Sequence, residues 1–198
     1  MLSKNIEKLQ ELSRKAYFTL DDVAQSLGFQ PGSARVFCSR YVKKGLLVRL
    51  KNNLYTTSWK WENLTRNEFF IIANILQVPS YISLMSALAY YEVTTQAQQA
   101  YQESIGQKRT IVYNVRQAVF SYVKIQRPYY NGFVKTEGVF IATKEKAFLD
   151  AAYLYSFGKY RLDADSLDFK KLDFNKLKSM LKNYPQKTKD TVKRLCGI

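Results

Sequence analysis

The chain has no histidine and only two cysteines, Cys38 and Cys196, in 198 residues. The first absence excludes Ser-His and Cys-His nucleophile chemistry and any histidine-ligated metal. The second leaves no disulfide framework and no cysteine zinc site, as expected in a reducing, cytoplasmic compartment. Acidic residues are scarce too. Sixteen Asp and Glu stand against 31 Lys and Arg, giving a formal net charge of +15 and a pI near 9.7. That excess favours a polyanionic partner, nucleic acid ahead of an anionic membrane. Long apolar runs are missing: "FFIIANIL" is far too short to span a bilayer. The opening "MLSKNIEKLQELSRK" is amphipathic and lacks the apolar core of a signal peptide. No low-complexity linker and no internal repeat is visible.

What is present is ample material for a core, with 46% apolar and 15% aromatic residues. The first sixty residues are the most readable. Ile6, Leu9 and Leu12 recur at helical spacing. In "TLDDVAQSLG", Thr19 and Asp22 form a capping-box pattern, and Leu20, Val23, Ala24 and Leu27 make one apolar stripe ended by Gly28. Pro31 suits the first position of a further helix, expected over 31–44. Its stripe is Ala34, Phe37, Cys38 and Tyr41, with Val42 beside it, which makes Cys38 a core residue. The opposite face presents Val36, Ser39 and Lys43, flanked by Arg35 and Arg40, and Ser33 and Lys44 near the helix ends join them as candidate contacts. A helix fits the major groove of DNA, where Arg pairs with guanine, Ser bonds a base edge or phosphate, and Val meets a thymine methyl.

Gly45 is a natural left-handed helix stop. Behind it Val48 and Leu50 alternate with Arg49 and Lys51, and Asn52-Asn53 offers a two-residue hairpin turn. An unbroken ladder across that turn pairs Leu50 with Tyr55 on one face and Arg49 with Thr56 on the other. Two helices joined by a Gly-containing turn, followed by a basic hairpin, predict a winged helix-turn-helix over 1–60. Its candidate DNA contacts are the polar face of the third helix together with Arg49, Lys51, Asn52 and Asn53 on the wing.

Residues 61–198 read as a mixed α/β domain. "SWKWENLTRN" is a polar junction, and "RNEFFIIANILQV" is a helix ending before Pro79. "SYISLMSALAYYEV" is a strand fragment leading into a short helix capped near Ser83. From about 106 to 142 the pattern turns to β, with strands in "RTIVYN", "AVFSYVKIQ" and "GVFIAT" and turns at "NVRQ", "PYYNG" and "KTEG". "TKEKAFLDAAYLYS" returns to helix, capped by Thr143, with Ala147, Phe148, Ala151 and Leu154 inward. Two closing helices are expected near 174–183 and 186–195. The fold class is therefore α+β: a winged helix-turn-helix domain, then a domain with a small, mainly antiparallel sheet and C-terminal helices.

Three segments, in this order, carry a resemblance: "RYVKKGLLVRLKNNLYT", "YISLMSALAYYEV" after a Pro-Ser, and "VFIATKEKAFLDAAYL" after a β-rich stretch. Together they make most of residues 15–160 resemble the AbiEi-type antitoxins of bacterial type IV toxin–antitoxin (abortive infection) systems, which act in phage defence. The resemblance implies a winged-helix DNA-binding domain followed by an antitoxin domain. It implies autorepression through an inverted-repeat operator in the protein's own promoter, compatible with a homodimer on DNA. It also implies action against a nucleotidyltransferase toxin, in many cases without a stable complex. The family's wing turn is usually tipped with Gly, where this chain has Asn52-Asn53.

An enzyme is the weaker expectation, and no cofactor or metal is implied. Asp163-Ala-Asp165 could hold Mg²⁺ from a strand in nucleotidyl transfer. The usual upstream Gly-Ser is absent, and Gly158-Lys159 lies too close, so these carboxylates are expected to cap or terminate elements in a turn-rich segment. Glu145 and Asp150, among lysines on a helix, are expected to form salt bridges or caps. A winged helix that docks a protein partner is the other alternative. Lysines also cluster in the closing helices, Lys187, Lys189, Lys193 and Arg194 among them. A solvated face is the ordinary reading, and a second nucleic-acid contact the minority one.

Overall fold

Helix caps set the frame of the N-terminal region. The structure, a computed structural model, describes residues 2–96 and 100–197, with side chains described from residue 7 onward. Helix α1 covers Leu2–Leu12 and is followed by a two-residue strand, β1 (Phe18–Thr19). Helix α2 (Leu20–Leu27) opens with a complete capping box: Asp22 N–H donates to Thr19 Oγ1 at 3.1 Å, and Thr19 N–H donates to Asp22 Oδ2 at 2.7 Å. Gly28, at φ +66°, ends it. Helix α3 (Pro31–Lys43) starts on the expected proline and stops at Gly45, φ +73°. Strands β2 (Leu47–Lys51) and β3 (Leu54–Thr57) make a hairpin, and β1 pairs with β3 to give a three-stranded sheet in the order β1-β3-β2.

The core of this region holds the anticipated stripes. Leu9, Leu20, Val23, Ala34, Phe37, Cys38 and Tyr41 are buried together with Phe18, Leu47 and Tyr55. Leu12 packs against the cluster, while the Ile6 side chain lies outside the described ones. The Phe37 and Tyr41 rings stack at 4.0 Å. Burial pushes the Cys38 thiol up to about 11, which keeps it protonated and inert near neutrality. The segment read as a polar junction contains a further short helix, α4 (Ser58–Glu62), capped by Thr57. Helix α5 (Arg66–Leu76) follows. The chain divides into two compact units inside α5, Met1–Ile72 and Ala73–Ile198.

The second unit is built on a six-stranded sheet. Its strands are β4 (Ser80–Ile82), β5 (Tyr101–Gly106), β6 (Ile111–Val115), β7 (Ala118–Lys124), β8 (Phe133–Thr136) and β9 (Val139–Ala142). They lie in the order β6-β7-β5-β4-β9-β8. The sheet is larger than expected and mixed: β5 runs parallel to β7 and β4 parallel to β9, and the other pairings are antiparallel. The physical reason is non-local. A strand's partner is set by non-local connections, β6 lying between the parallel β5 and β7 in sequence and most of the sheet between the parallel β4 and β9, which local alternation does not reveal. Strands β5 and β8 went unread because their patterns are weak; "FVKT" sits between two turns, and Glu137-Gly138 forms the second at φ +48° and +81°.

Helices α6 (Leu84–Tyr90), α7 (Lys144–Ser156), α8 (Phe174–Leu181) and α9 (Gln186–Cys196) complete the unit, with α7 packed against α6, α8 and α9. Ser83 stands at the head of α6, but its hydroxyl makes no cap and donates instead to Asp150 Oδ2 at 2.8 Å. Thr143 caps α7 as expected. Helix α7 is buried nearly all round, and Glu145 and Asp150 form the expected salt bridges from interior positions, Glu145 with Lys176 at 3.1 Å and Asp150 with Lys146. Among the described residues no helix is long and apolar enough to cross a membrane.

Candidate nucleic-acid interface

Helix α3 is half core and half surface because its apolar residues recur at i, i+3, i+4 and i+7. The other half presents Arg35, Val36, Ser39, Arg40 and Lys43, and Ser33 in the first turn and Lys44 just past the last are exposed as well. Val36 is 52% exposed, a large apolar side chain with no core to enter. On the hairpin Arg49, Lys51, Asn52 and Asn53 are exposed as well, while Val48, Leu50, Leu54 and Tyr55 turn inward.

The ladder differs from the unbroken one. Lys51 pairs with Leu54, but Arg49 pairs with Tyr55 and Val48 with Thr56. Leu50 is thus the extra residue of a β-bulge, and the anticipated Leu50–Tyr55 and Arg49–Thr56 pairs do not form. The turn explains the shift. Asn53 alone of the Asn pair takes a left-handed φ, +58°, whereas a regular two-residue I′ turn needs two. The ladder absorbs the mismatch one residue later. The turn is anchored rather than free, since the Asn53 carbonyl accepts the Leu20 N–H at 3.1 Å where α2 begins.

Between α3 and the hairpin lies a cleft of about 320 Å³, lined by Arg35, Ser39, Val42, Lys43, Arg49, Asn52, Asn53 and Tyr55. Arg49 donates from Nη2 to Asn52 Oδ1 at 2.9 Å, which holds the guanidinium at the turn. Tyr55 forms part of the inner wall. Burial pushes its hydroxyl pKa up, the nearby Cys38 adds to the rise, and Arg49 and Arg35 pull it back. None of the described residues lining the cleft is acidic, and no described carboxylate pairs with Arg35, Arg40 or Lys43. The cleft presents concentrated positive charge beside hydroxyl and amide donors, a set suited to an anionic backbone.

Six of the sequence-derived residues therefore meet in one cleft. Ser33, Val36 and Arg40 extend the exposed face of α3 away from it, and Lys51 continues along β2. Lys44 turns aside, with its ammonium 5.9 Å from the Tyr41 ring centroid. Val42 and Tyr55 are the lining residues the sequence did not reveal. No sequence signal marks Tyr55, because Val48 and Leu50 alternate regularly with Arg49 and Lys51 across the position of the bulge. Asp163 and Asp165 are exposed in a turn segment on no strand, with Asp163 accepting from Gln96 Nε2 at 2.8 Å. Among the described residues no cluster of three or more metal-ligating side chains forms.

No family model matches the chain, and no curated protein matches it. A solved structure does share its fold: the crystal structure of the RV2827C protein from Mycobacterium tuberculosis. The two superpose with a TM-score of 0.64 over 96% of this chain and 74% of that one, at 12% identity. At such identity the likeness is one of fold.

Proposed function

We propose that the first unit is a winged helix that binds duplex DNA, with α3 as recognition helix and the β2–β3 hairpin as wing. The observation that carries this reading is the acid-free cleft where Arg35, Lys43 and Arg49 converge between an exposed helix face and an anchored turn. The order helix, short strand, helix, helix and hairpin supports it. We further propose that the protein is a cytoplasmic, non-enzymatic antitoxin that represses its own promoter at an inverted repeat, as a homodimer on DNA, and counters a nucleotidyltransferase toxin without a stable complex. Support for that half comes from the resemblance of the three quoted segments to AbiEi-type antitoxins.

A labelled duplex from the upstream promoter tests the DNA-binding half. Arg35→Ala or Arg40→Ala costs about 1–3 kcal/mol and relaxes base preference, whereas Lys51→Ala weakens all sequences alike. Operator binding at wild-type strength by both arginine variants would refute the assignment of α3. The antitoxin half is tested by the gene immediately downstream: it should encode a nucleotidyltransferase whose toxicity this chain suppresses on co-expression.

A second reading, a winged helix that docks a protein, has its own observation. A cleft of about 720 Å³ elsewhere on the first unit is lined by Leu9, Tyr41, Leu46 and Trp59 among others, and Trp59 is 65% exposed. Co-purification of a partner at high salt, with no promoter shift, would favour that reading.

A further inference from the structure

The second unit carries a charge imbalance that the reading of α3 leaves unused. Between residues 174 and 197, seven Lys and Arg stand against one Asp. Helix α9 sorts its residues by burial: Thr188, Thr191 and Val192 are inside, while Lys187, Lys193 and Arg194 are exposed. Lys187 and Arg194 are two turns apart, so they form a row about 10 Å long on one side of the helix. Asp190 stands between them in sequence, and its Oδ1 accepts from Gln186 Nε2 at 2.8 Å rather than from either cation. No described carboxylate pairs with Lys187, Lys193 or Arg194.

An exposed ring stands at the head of that row. Phe157, directly after α7, is 43% exposed, high for a residue type that is usually buried. The ring is nevertheless held in place. Tyr153 packs on it with centroids 5.3 Å apart and in turn touches Tyr129 and Tyr184. The Ser156 and Thr188 hydroxyls, 3.0 Å apart, tie the end of α7 to α9. The Lys187 ammonium lies 5.4 Å from the Phe157 centroid. A rigid ring beside a row of cations that make no ion pair among the described residues is the arrangement that engages a base and its phosphates together.

We propose that Phe157, Lys187 and Arg194 form a binding surface for single-stranded nucleic acid. A base stacks on Phe157 and displaces the Lys187 ammonium from the ring, a weak exposed cation–π contact. The freed ammonium pairs with the adjoining phosphate, and Arg194 takes one about three steps along the strand. A duplex keeps its bases stacked inside and leaves the ring without a partner. An anionic membrane would need a free apolar helix face, but the inner face of α9 is packed against α7. The proposal does not rest on α3, which lies in the other unit.

The test uses the full chain carrying Arg35→Ala and Arg40→Ala, titrated by fluorescence anisotropy with labelled oligouridine of about 12 nucleotides. Binding should persist in that background. Phe157→Ala should weaken it about 5- to 100-fold, the effect of one stacked base. Lys187→Glu with Arg194→Glu should weaken it more than about tenfold and flatten the salt slope by about 1.4. All three side chains are exposed, so unchanged melting curves check that the variants fold. Absence of oligouridine binding overturns the proposal. So does affinity unaffected by these substitutions, preference for a duplex of equal length, or capture by anionic vesicles alone. Operator binding by the chain with intact α3 reports separately on the reading of the first unit.

Discussion

Lys146→Met is the perturbation whose size the structure sets most clearly. Lys146 and Asp150 pair one helical turn apart with both side chains fully buried. The ammonium also donates to the Tyr129 carbonyl at 2.6 Å and to the Tyr184 hydroxyl at 2.9 Å, so its three protons are all used. Asp150 Oδ2 accepts from Tyr81 Oη at 2.9 Å and Ser83 Oγ at 2.8 Å. Methionine keeps the stem and removes the charge, leaving a carboxylate in the core without its counter-ion. Breaking a buried pair from one side costs about 3–5 kcal/mol, a large part of the roughly 5–15 kcal/mol that holds a domain together. Asp150→Asn should cost a similar amount by stranding the ammonium. The double variant should lose less than the sum of the singles by about 2 kcal/mol or more, because both charges leave together. Urea unfolding followed by far-UV circular dichroism measures all three, with unchanged m values confirming like-for-like transitions. Additivity within about 0.5 kcal/mol would show that the two charges do not act as a pair, and the reasoning would fail.

Four further outcomes follow from named contacts. The Thr19 backbone N–H holds the Asp22 carboxyl below its ordinary range against the opposing effect of burial, with the Thr19 hydroxyl and Lys15 assisting. Its stabilisation is therefore complete above pH 3.8 and is lost as pH falls through the lower folded value, and Asp22→Ala should remove that acid dependence together with about 1 kcal/mol of cap stability. Glu103 shifts the other way: burial raises it, while Tyr160 and the Met85 and Ser86 N–H groups oppose the rise. Stability should accordingly fall as pH rises above 4.5 through the raised folded value, and Glu103→Gln should flatten that slope; an unaltered slope contradicts the assignment. Gly132 sits at φ +72°, where an added Cβ would lie 2.9 Å from Met180 Cε and 3.1 Å from Lys146 Cγ. Gly132→Ala should cost about 1–3 kcal/mol in thermal unfolding. If the wing contacts phosphates, Lys51→Ala should reduce the salt slope of operator binding by about 0.9 per protomer, measurable by titration at several salt concentrations.

Legibility in the sequence tracks how local the determining physics is. The capping box at Thr19 and Asp22, Pro31 at the head of α3 and the glycines that stop α2 and α3 each act within one turn, so α2 and α3 could be placed from the residues. Helical periodicity likewise separated the exposed face of α3 from its core stripe. The second unit resisted because its choices are made at a distance. Helix α7 looks amphipathic, yet its Lys146 and Asp150 are interior because Tyr81, Ser83, Tyr129 and Tyr184 arrive from separate segments to satisfy them. Nothing in a window of a dozen residues announces those partners. For the same reason Ser83, at the N-cap position of α6, gives its hydroxyl to Asp150 and not to the helix.

The hairpin shows the boundary between the two regimes inside one element. Composition placed its cations and its turn correctly, since Arg49, Lys51, Asn52 and Asn53 are exposed at its end. Register depended on one backbone angle: Asn53 enters the left-handed region and Asn52 does not, so Leu50 becomes the bulge and Arg49 comes to face Tyr55. The bulge also places Arg49 where Asn52 Oδ1 can hold it, in the cleft with Arg35 and Lys43. In an unbroken ladder Arg49 would have opposed Thr56 instead. The turn itself is pinned by the Leu20 N–H at the first residue of the capped helix α2. Its position is therefore set by the capped start of α2, distant in sequence, as much as by its own Asn pair. The anchor is a backbone carbonyl, so it holds the turn whatever side chain stands at position 53, and it fixes the place of Arg49 and Lys51 relative to α2.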